Sequence, residues 1–238
     1  MKGWAAKGKA PSAPAAAAPA APAAADAVSI RAIAQALDAA CADLQTKSGA
    51  FFDSVMDRFS EGVVFLGLAV RLDSPGPAVF VQWRTGRHGQ PFRLFKFRSM
   101  RADADRFAGQ LIAASGQQSP MFFKVKNDPR VTPFGRILRK YSVDELPQLL
   151  NVLRGDMSIV GPRPQVRREV ESYDELVSRR LTVKPGLTGL WQVSGRSDLR
   201  PEDAVRLDLH YVENWSPIQD LVIMAKTVKT VLSTDGAY

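Results

Sequence analysis

The chain has 238 residues, of which 45% are hydrophobic and 24% charged, which is enough apolar surface for one ordinary domain plus extra sequence and too little length for two enzymatic domains. A single cysteine, Cys41, and two distant histidines, His88 and His210, exclude a disulfide scaffold, a thiolate zinc site and a multi-histidine metal centre, so any chemistry must use carboxylates, lysines and arginines. The net charge of +8 is concentrated in residues 75–168, which hold 17 basic and 6 acidic side chains against 7 and 7 before them and 8 and 11 after, a pattern suited to phosphates of nucleic acid, nucleotide or anionic lipid, or to a solvated surface.

Residues 1–27 read as a low-complexity linker, because 12 of the 18 residues from 10 to 27 are alanine and prolines 11, 14, 19 and 22 interrupt any helix. No continuous apolar run follows the first lysines, so no export signal is expected. With Asp26 as N-cap, the spacing of Ile30, Ile33, Leu37, Ala40 and Leu44 predicts a helix to about Gln45. Phe52, Val55, Met56, Phe59 and Val63 predict a second amphipathic helix that runs into the uncharged stretch 62–70. Nine residues fall well short of the roughly 20 that span a bilayer. This helix either packs on the protein's own core or lies in a membrane interface. Residues 28–70 thus read as a helical N-terminal region, and residues 71–238 as the main compact domain.

Asp73-Ser-Pro-Gly-Pro77 is a dense turn signal. Val79–Val81 reads as a strand, Gly86–Gly89 as a turn, and Phe92–Arg98 as a second strand by its alternation of apolar and basic residues. A helix is expected over 103–114, a break at 116–120 and a turn at Asn127–Arg130. Leu146, Leu149, Leu150 and Leu153 share a helical face that Gly155 ends. Further helices are predicted near 166–183, 201–214 and 221–232, around a loop at 184–189. The sum is an α/β chain, mostly helical with a small sheet.

The segment Arg139-Lys-Tyr-Ser-Val-Asp-Glu-Leu-Pro-Gln148 carries the densest chemistry. Ser142 with Glu145 is a capping-box pattern, and Pro147 fits only the first turn of a helix, so Asp144 and Glu145 are expected at a helix N-terminus. Acids are common there without any catalytic role. Arg136, Arg139 and Lys140 just before them, and Gly161-Pro-Arg-Pro164 after the same helix, change the balance. Cations hold a neighbouring carboxylate ionised, an ionised carboxylate can be a phosphoryl nucleophile, and a second carboxylate can hold magnesium. The prolines flanking Arg163 stiffen its support.

Taken together, Lys96-Phe-Arg98-Ser-Met100, Asp144–Gln148, Asn151–Met157, Val160–Pro164, Lys184–Gln192 and Ser194-Gly-Arg196 resemble the bacterial sugar transferases, or monotopic phosphoglycosyl transferases, from about Leu68 to Tyr238. The resemblance implies a membrane-associated enzyme that moves a sugar 1-phosphate from a UDP-sugar to polyprenyl phosphate and so opens assembly of an exopolysaccharide or other glycoconjugate. It places the nucleophile on Asp144, a Mg2+ ligand on Glu145, and phosphate contacts on Arg139, Arg163, Arg196, Lys96 and Arg98. It also implies the cytoplasmic face of the inner membrane, no nucleic acid partner, and allows a homo-oligomer. Trp191 and Trp215 are assigned to packing or an interface.

The family's N-terminal apolar stretch, commonly broken by proline, enters and leaves the membrane on one side. Here Asp53, Asp57, Arg58 and Glu61 occupy that region. Charges near a membrane centre cost on the order of 2.5–3.5 kcal/mol each on insertion scales, so a shallow, peripheral association is expected. Two rival readings stand beside the transferase: a family member that has lost its anchor, and a nucleic-acid-binding protein using the positive segment.

Overall fold

A computed structural model of the chain describes residues 31–36, 39, 49–104, 107, 128–195 and 199–233. The linker at 1–27, most of the helix expected to Gln45 and most of the helix expected over 103–114 lie outside these residues, as do Cys41 and Arg196; residues 31–36 are helical. Helix α1, Gly49–Asp73, is the amphipathic helix expected in this region, extended by several residues at its C-terminal end. Ser60, Val63 and Val70 are buried on one side, while Val64, Phe65, Leu68 and Leu72 are exposed on the other. Among the described residues no helix is long and apolar enough to cross a membrane.

Strands β1, Val79–Thr85, and β2, Pro91–Phe97, form an antiparallel hairpin, with Val79 opposite Phe97 and Thr85 opposite Pro91. The expected alternation on β2 breaks between Leu94 and Phe95, which are both buried, so its two faces serve different clusters: Phe95 and Phe97 enter the main core with Val63, Val70, Val79, Leu138 and Leu150. Phe92 and Leu94 pack on Met157. The core therefore takes in helix α1, which the sequence reading set apart in the region 28–70. Burial of each large apolar side chain contributes about 1.5–3 kcal/mol, so α1 and the hairpin stabilise one another.

Helix α2, Pro133–Lys140, starts with Pro133 at its first position and Thr132 as cap, whose hydroxyl accepts from the Gly135 N–H at 3.0 Å. Gly135 is required: a Cβ there would collide with the main chain of Ser99, which follows β2. The expected capping box at Ser142 does not form. Ser142 is left-handed (φ 54°), its side chain does not cap, and the acids lie on a 3-10 helix, Val143–Gln148, that leads into a short α3, Leu149–Leu153. Asn151 fixes this unit to the hairpin. Fully buried, it accepts from the Phe95 N–H at 3.2 Å and donates to the Arg93 carbonyl at 2.6 Å, which sets the 3-10 helix across β2.

A second small sheet, not foreseen, pairs β3, Ser158–Val160, in parallel with β4, Gly186–Thr188. Between them the helix expected over 166–183 is broken into α4, Arg167–Val170, α5, Glu175–Ser178, and a 3-10 turn, Arg179–Thr182. Asp174 causes the break by capping α5, its carboxylate accepting from the Val177 N–H at 2.7 Å. Helices α6, Pro201–Glu213, and α7, Pro217–Ser233, complete the chain, with Tyr211 and Ile223 packed on Val160.

Candidate active site

A cavity of about 670 Å³ opens where the 3-10 helix, β2, β4 and α7 meet. Lys96, Arg139, Asp144, Glu145 and Arg163 all line it, so the structure brings together five of the seven residues singled out from sequence. Arg196 lies outside the described residues. Arg98 is placed elsewhere: it is buried under the 73–77 turn, where its guanidinium donates to the carbonyls of Ser74 and Pro75. It anchors the start of the hairpin, and its assignment to substrate phosphate is corrected. The strand ends at Phe97, so the two-residue spacing that should have put Arg98 beside Lys96 no longer applies.

Asp144 is buried to 8% exposure and has no hydrogen-bonding or ion-pair partner among the described residues. Burial, with the neighbouring Glu145 charge, pushes its carboxyl up to about 6, against the pull of Lys96, Arg139 and Arg163. The expectation that surrounding cations would simply hold it ionised is therefore only half met. Most of it is still ionised at pH 7. Of the four cations expected from sequence, Arg139 and Arg163 act on Asp144, whereas Arg136 and Lys140 are exposed. Lys96 supplies the third cation from β2, its ammonium pushed down to about 8 by burial and held up by Asp144.

Glu145 is less buried and meets the Arg163 guanidinium at 3.2 Å. Arg139 donates its Nε–H to the Ser99 hydroxyl at 2.8 Å, a contact made available by the close approach of Gly135 to Ser99. The Arg163 loop sits tightly on β4 because Gly161 and Gly186 face each other with no room for a Cβ on either.

Sequence reasoning missed several cavity residues. Asp128 and Arg130, read only as part of a turn, form a bidentate pair at 2.6–3.1 Å on the cavity wall. Thr188 and Thr227 share a 2.8 Å hydroxyl contact there, and Ile159, Leu187, Trp191 and Met224 make an apolar side. The motif Lys184–Gln192 already contained Thr188, Leu187 and Trp191, but nothing in it indicated a facing helix. Trp191 is buried on the cavity wall, and Trp215 is exposed with its indole N–H on Asp220 at 3.0 Å.

Family comparison decides the class of protein. The bacterial sugar transferase family matches residues 54–234. The chain belongs to that family. Relatives include the undecaprenyl-phosphate galactose phosphotransferase of Salmonella typhimurium, 48% identical over 179 residues that cover 74% of this chain and 37% of that protein. The exopolysaccharide production protein ExoY of Sinorhizobium fredii is 45% identical over 179 residues, 74% of this chain and 79% of that protein. The UDP-glucose:undecaprenyl-phosphate glucose-1-phosphate transferase of Caulobacter vibrioides is 42% identical over 188 residues, 76% and 66% of the two chains. The chain thus spans less than two fifths of the length of some curated relatives and most of others.

The carboxylates suit magnesium, which takes one or two protein carboxylates and completes its shell with water and substrate phosphates. Among the described residues no cluster of three or more His, Cys, Asp or Glu side chains could hold a metal unaided. Glu145 is the residue that could hold such an ion together with a diphosphate.

Proposed function

We propose that this protein is a phosphoglycosyl transferase that moves a sugar 1-phosphate from a UDP-sugar to polyprenyl phosphate, opening exopolysaccharide assembly. The observation that carries this reading is Asp144, a buried carboxylate with no partner among the described residues, facing a cavity ringed by Lys96, Arg139 and Arg163 in a chain of this family. The relatives from Salmonella typhimurium and Caulobacter vibrioides, by their names, act on undecaprenyl phosphate.

An Asp144 oxygen attacks the phosphorus bearing the sugar. The bond from that phosphorus to the bridging oxygen breaks, and UMP leaves with the electron pair. The phosphosugar then sits on Asp144 as an acyl phosphate, itself a good phosphoryl donor. An oxygen of polyprenyl phosphate attacks the same phosphorus, releasing polyprenyl diphosphate sugar and restoring the carboxylate. Lys96, Arg139 and Arg163 orient the phosphates and stabilise their charge. Glu145 would hold a magnesium ion, which would supply positive charge to offset that of the diphosphate.

The acceptor's long apolar chain keeps it in the bilayer, so the protein must reach the membrane. The exposed row Val64, Phe65, Leu68 and Leu72 on α1 offers an apolar face, and the positive segment supplies attraction to anionic lipid. Two such signals suffice for stable peripheral attachment. We place the protein on the cytoplasmic face of the inner membrane. The nucleic-acid reading is less well supported, because Lys96, Arg139 and Arg163 of the positive segment line a cavity around the Asp144 and Glu145 carboxylates.

The test is incubation of membranes containing the protein with a panel of UDP-sugars and polyprenyl phosphate, scoring UMP release. Release that depends on one UDP-sugar and on the lipid is the expected result. No release from any donor, with tight DNA or RNA binding at ~0.15 M salt, would overturn it.

A further inference from the structure

The two walls of the active-site cavity differ in kind. Every charged side chain on it is brought by β2, the stretch 128–139, the 3-10 helix or the Arg163 loop, whereas the wall built by β3, β4, residues 191–193 and α7 carries no charge. Ile159, Leu187 and Met224 make much of this second wall apolar. Its polarity comes from Thr188 at the end of β4, from Thr227 and Thr230 three residues apart on α7, and from the Gln192 amide. The indole nitrogen of Trp191 is enclosed within the wall.

Each threonine hydroxyl has one hydrogen to give, and the hydrogen bonds account for all three. Thr227 Oγ1 lies 2.8 Å from the Ile223 carbonyl, which can only accept, so Thr227 donates there. The 2.8 Å contact between Thr188 and Thr227 must then run from Thr188. Thr230 likewise donates to the Lys226 carbonyl at 2.8 Å. With their hydrogens spent, the three oxygens can offer a ligand lone pairs only. Gln192, whose Nε2 lies 3.5 Å from the Leu187 carbonyl, is the remaining side-chain donor on this wall.

An uncharged row of acceptors suits few parts of the substrates. Phosphate oxygens bear charge and have no hydrogen to give, a uracil ring offers two carbonyls for one N–H, and a polyprenyl chain offers no donor at all. A sugar ring carries several O–H donors beside apolar C–H faces, and both find a match here. We propose that Thr188, Thr227 and Thr230 accept hydrogen bonds from hydroxyl groups of the transferred sugar, and that this sugar is uncharged. A uronate would meet no cation on this wall and an ammonium sugar no carboxylate. The assignment rests on the proposed UDP-sugar donor.

The experiment is the paired replacement Thr188→Val with Thr227→Val in the full-length chain. Valine keeps the shape, and removing both partners together leaves neither hydroxyl orphaned. In membranes the KM for the UDP-sugar should rise at least about fivefold. UDP, added as a competitor without the sugar, should bind within about twofold of wild type, and so should polyprenyl phosphate. Should the paired variant fail to fold, Thr230→Val, at a partly buried position, should raise the donor KM about two- to fivefold. An unchanged donor KM in every variant that folds would overturn the proposal. So would an equal loss of UDP binding, which would assign the wall to the uracil or ribose, or a raised KM for polyprenyl phosphate alone, which would assign it to the acceptor. A UDP-uronate turned over faster than every uncharged donor would overturn the choice of an uncharged sugar. If the unaltered protein releases UMP from no donor, the proposed activity fails and calorimetry judges the wall: tighter binding of a UDP-sugar than of UDP, lost in the paired variant, upholds it, and equal binding overturns it.

Discussion

Asp144 and Asp208 are both buried aspartates whose carboxyls burial pushes up to about 6, yet they are placed for opposite purposes. Asp208 touches its counter-charge: the Arg180 guanidinium is 2.5 Å away and is itself fixed by Tyr173. Asp144 touches none among the described residues, and Lys96, Arg139 and Arg163 act on it from a distance across a cavity. A carboxylate whose lone pairs are spent on an arginine is a poor nucleophile. One kept ionised by cations that leave its oxygens free is ready to attack phosphorus. Burial and basicity do not distinguish the two; the distance to the nearest cation does.

The largest expected effect follows from that difference. Asp144→Asn should lower UMP release by at least about 10³-fold and abolish labelling of the protein by a sugar-labelled donor, because the residue forms the covalent bond. Asp208→Asn should retain labelling and lose no more than about 100-fold. Loss of labelling in Asp208→Asn with labelling intact in Asp144→Asn would reverse the two roles.

Stability should show the opposite ranking. Asp208→Ala leaves the Arg180 guanidinium buried without its partner, which for buried ion pairs costs about 3–5 kcal/mol. Chemical denaturation should register that loss as a lower midpoint. A midpoint unchanged from wild type would mean that the pair is not closed in solution.

The acid limb of the activity profile belongs to Asp144. Since the nucleophile must be ionised and its carboxyl sits at about 6, activity should fall about tenfold from pH 7 to pH 5. Lys96, pushed down to about 8, should lose its charge above that value and give a falling alkaline limb, so the whole profile is a bell. Lys96→Met removes a cation that holds Asp144 down; it should move the acid limb to higher pH and erase the alkaline one. An acid limb that stays in place would show that Lys96 does not reach Asp144.

Much of this comparison was legible in the sequence, and the part that was not has a physical reason. Asp144, Glu145 and Arg139 lie within seven residues of one another, and Arg163 is framed by prolines, so their grouping could be read locally. The hairpin showed in the alternation of residues 92–97. Arg98 was misplaced because parity along a strand holds only while the strand lasts, and β2 ends one residue earlier. The capping box failed because Ser142 adopts a left-handed conformation, which local pattern does not reveal. The Arg180–Asp208 pair joins residues 28 apart through the packing of α6 on the 3-10 turn 179–182, and no local signal encodes it. Asp128 and Arg130 were visible only as a turn, because their bidentate pairing serves a cavity built by distant segments.

The smallest effect is also the one that best isolates the cost of a free carboxylate. In the unfolded chain the Asp144 carboxyl titrates near its ordinary value of 3.8, and in the folded protein near 6. The folded state therefore binds the proton more tightly, and stability falls as pH rises from about 4 to about 6 and stays lower above that. Asn mimics the protonated side chain at every pH. Asp144→Asn should accordingly melt higher than wild type at pH 7 to 8, by on the order of 5 °C for a chain of this size. The difference should shrink below pH 6 and vanish only below about pH 3, where the wild-type carboxyl is protonated in the folded and the unfolded chain alike. An inactive variant that melts higher at neutral pH would show that the fold bears a cost to keep this carboxylate charged and unpaired. Equal melting across the range would mean that Lys96, Arg139 and Arg163 offset burial completely, and the distinction from Asp208 would then rest on reactivity alone.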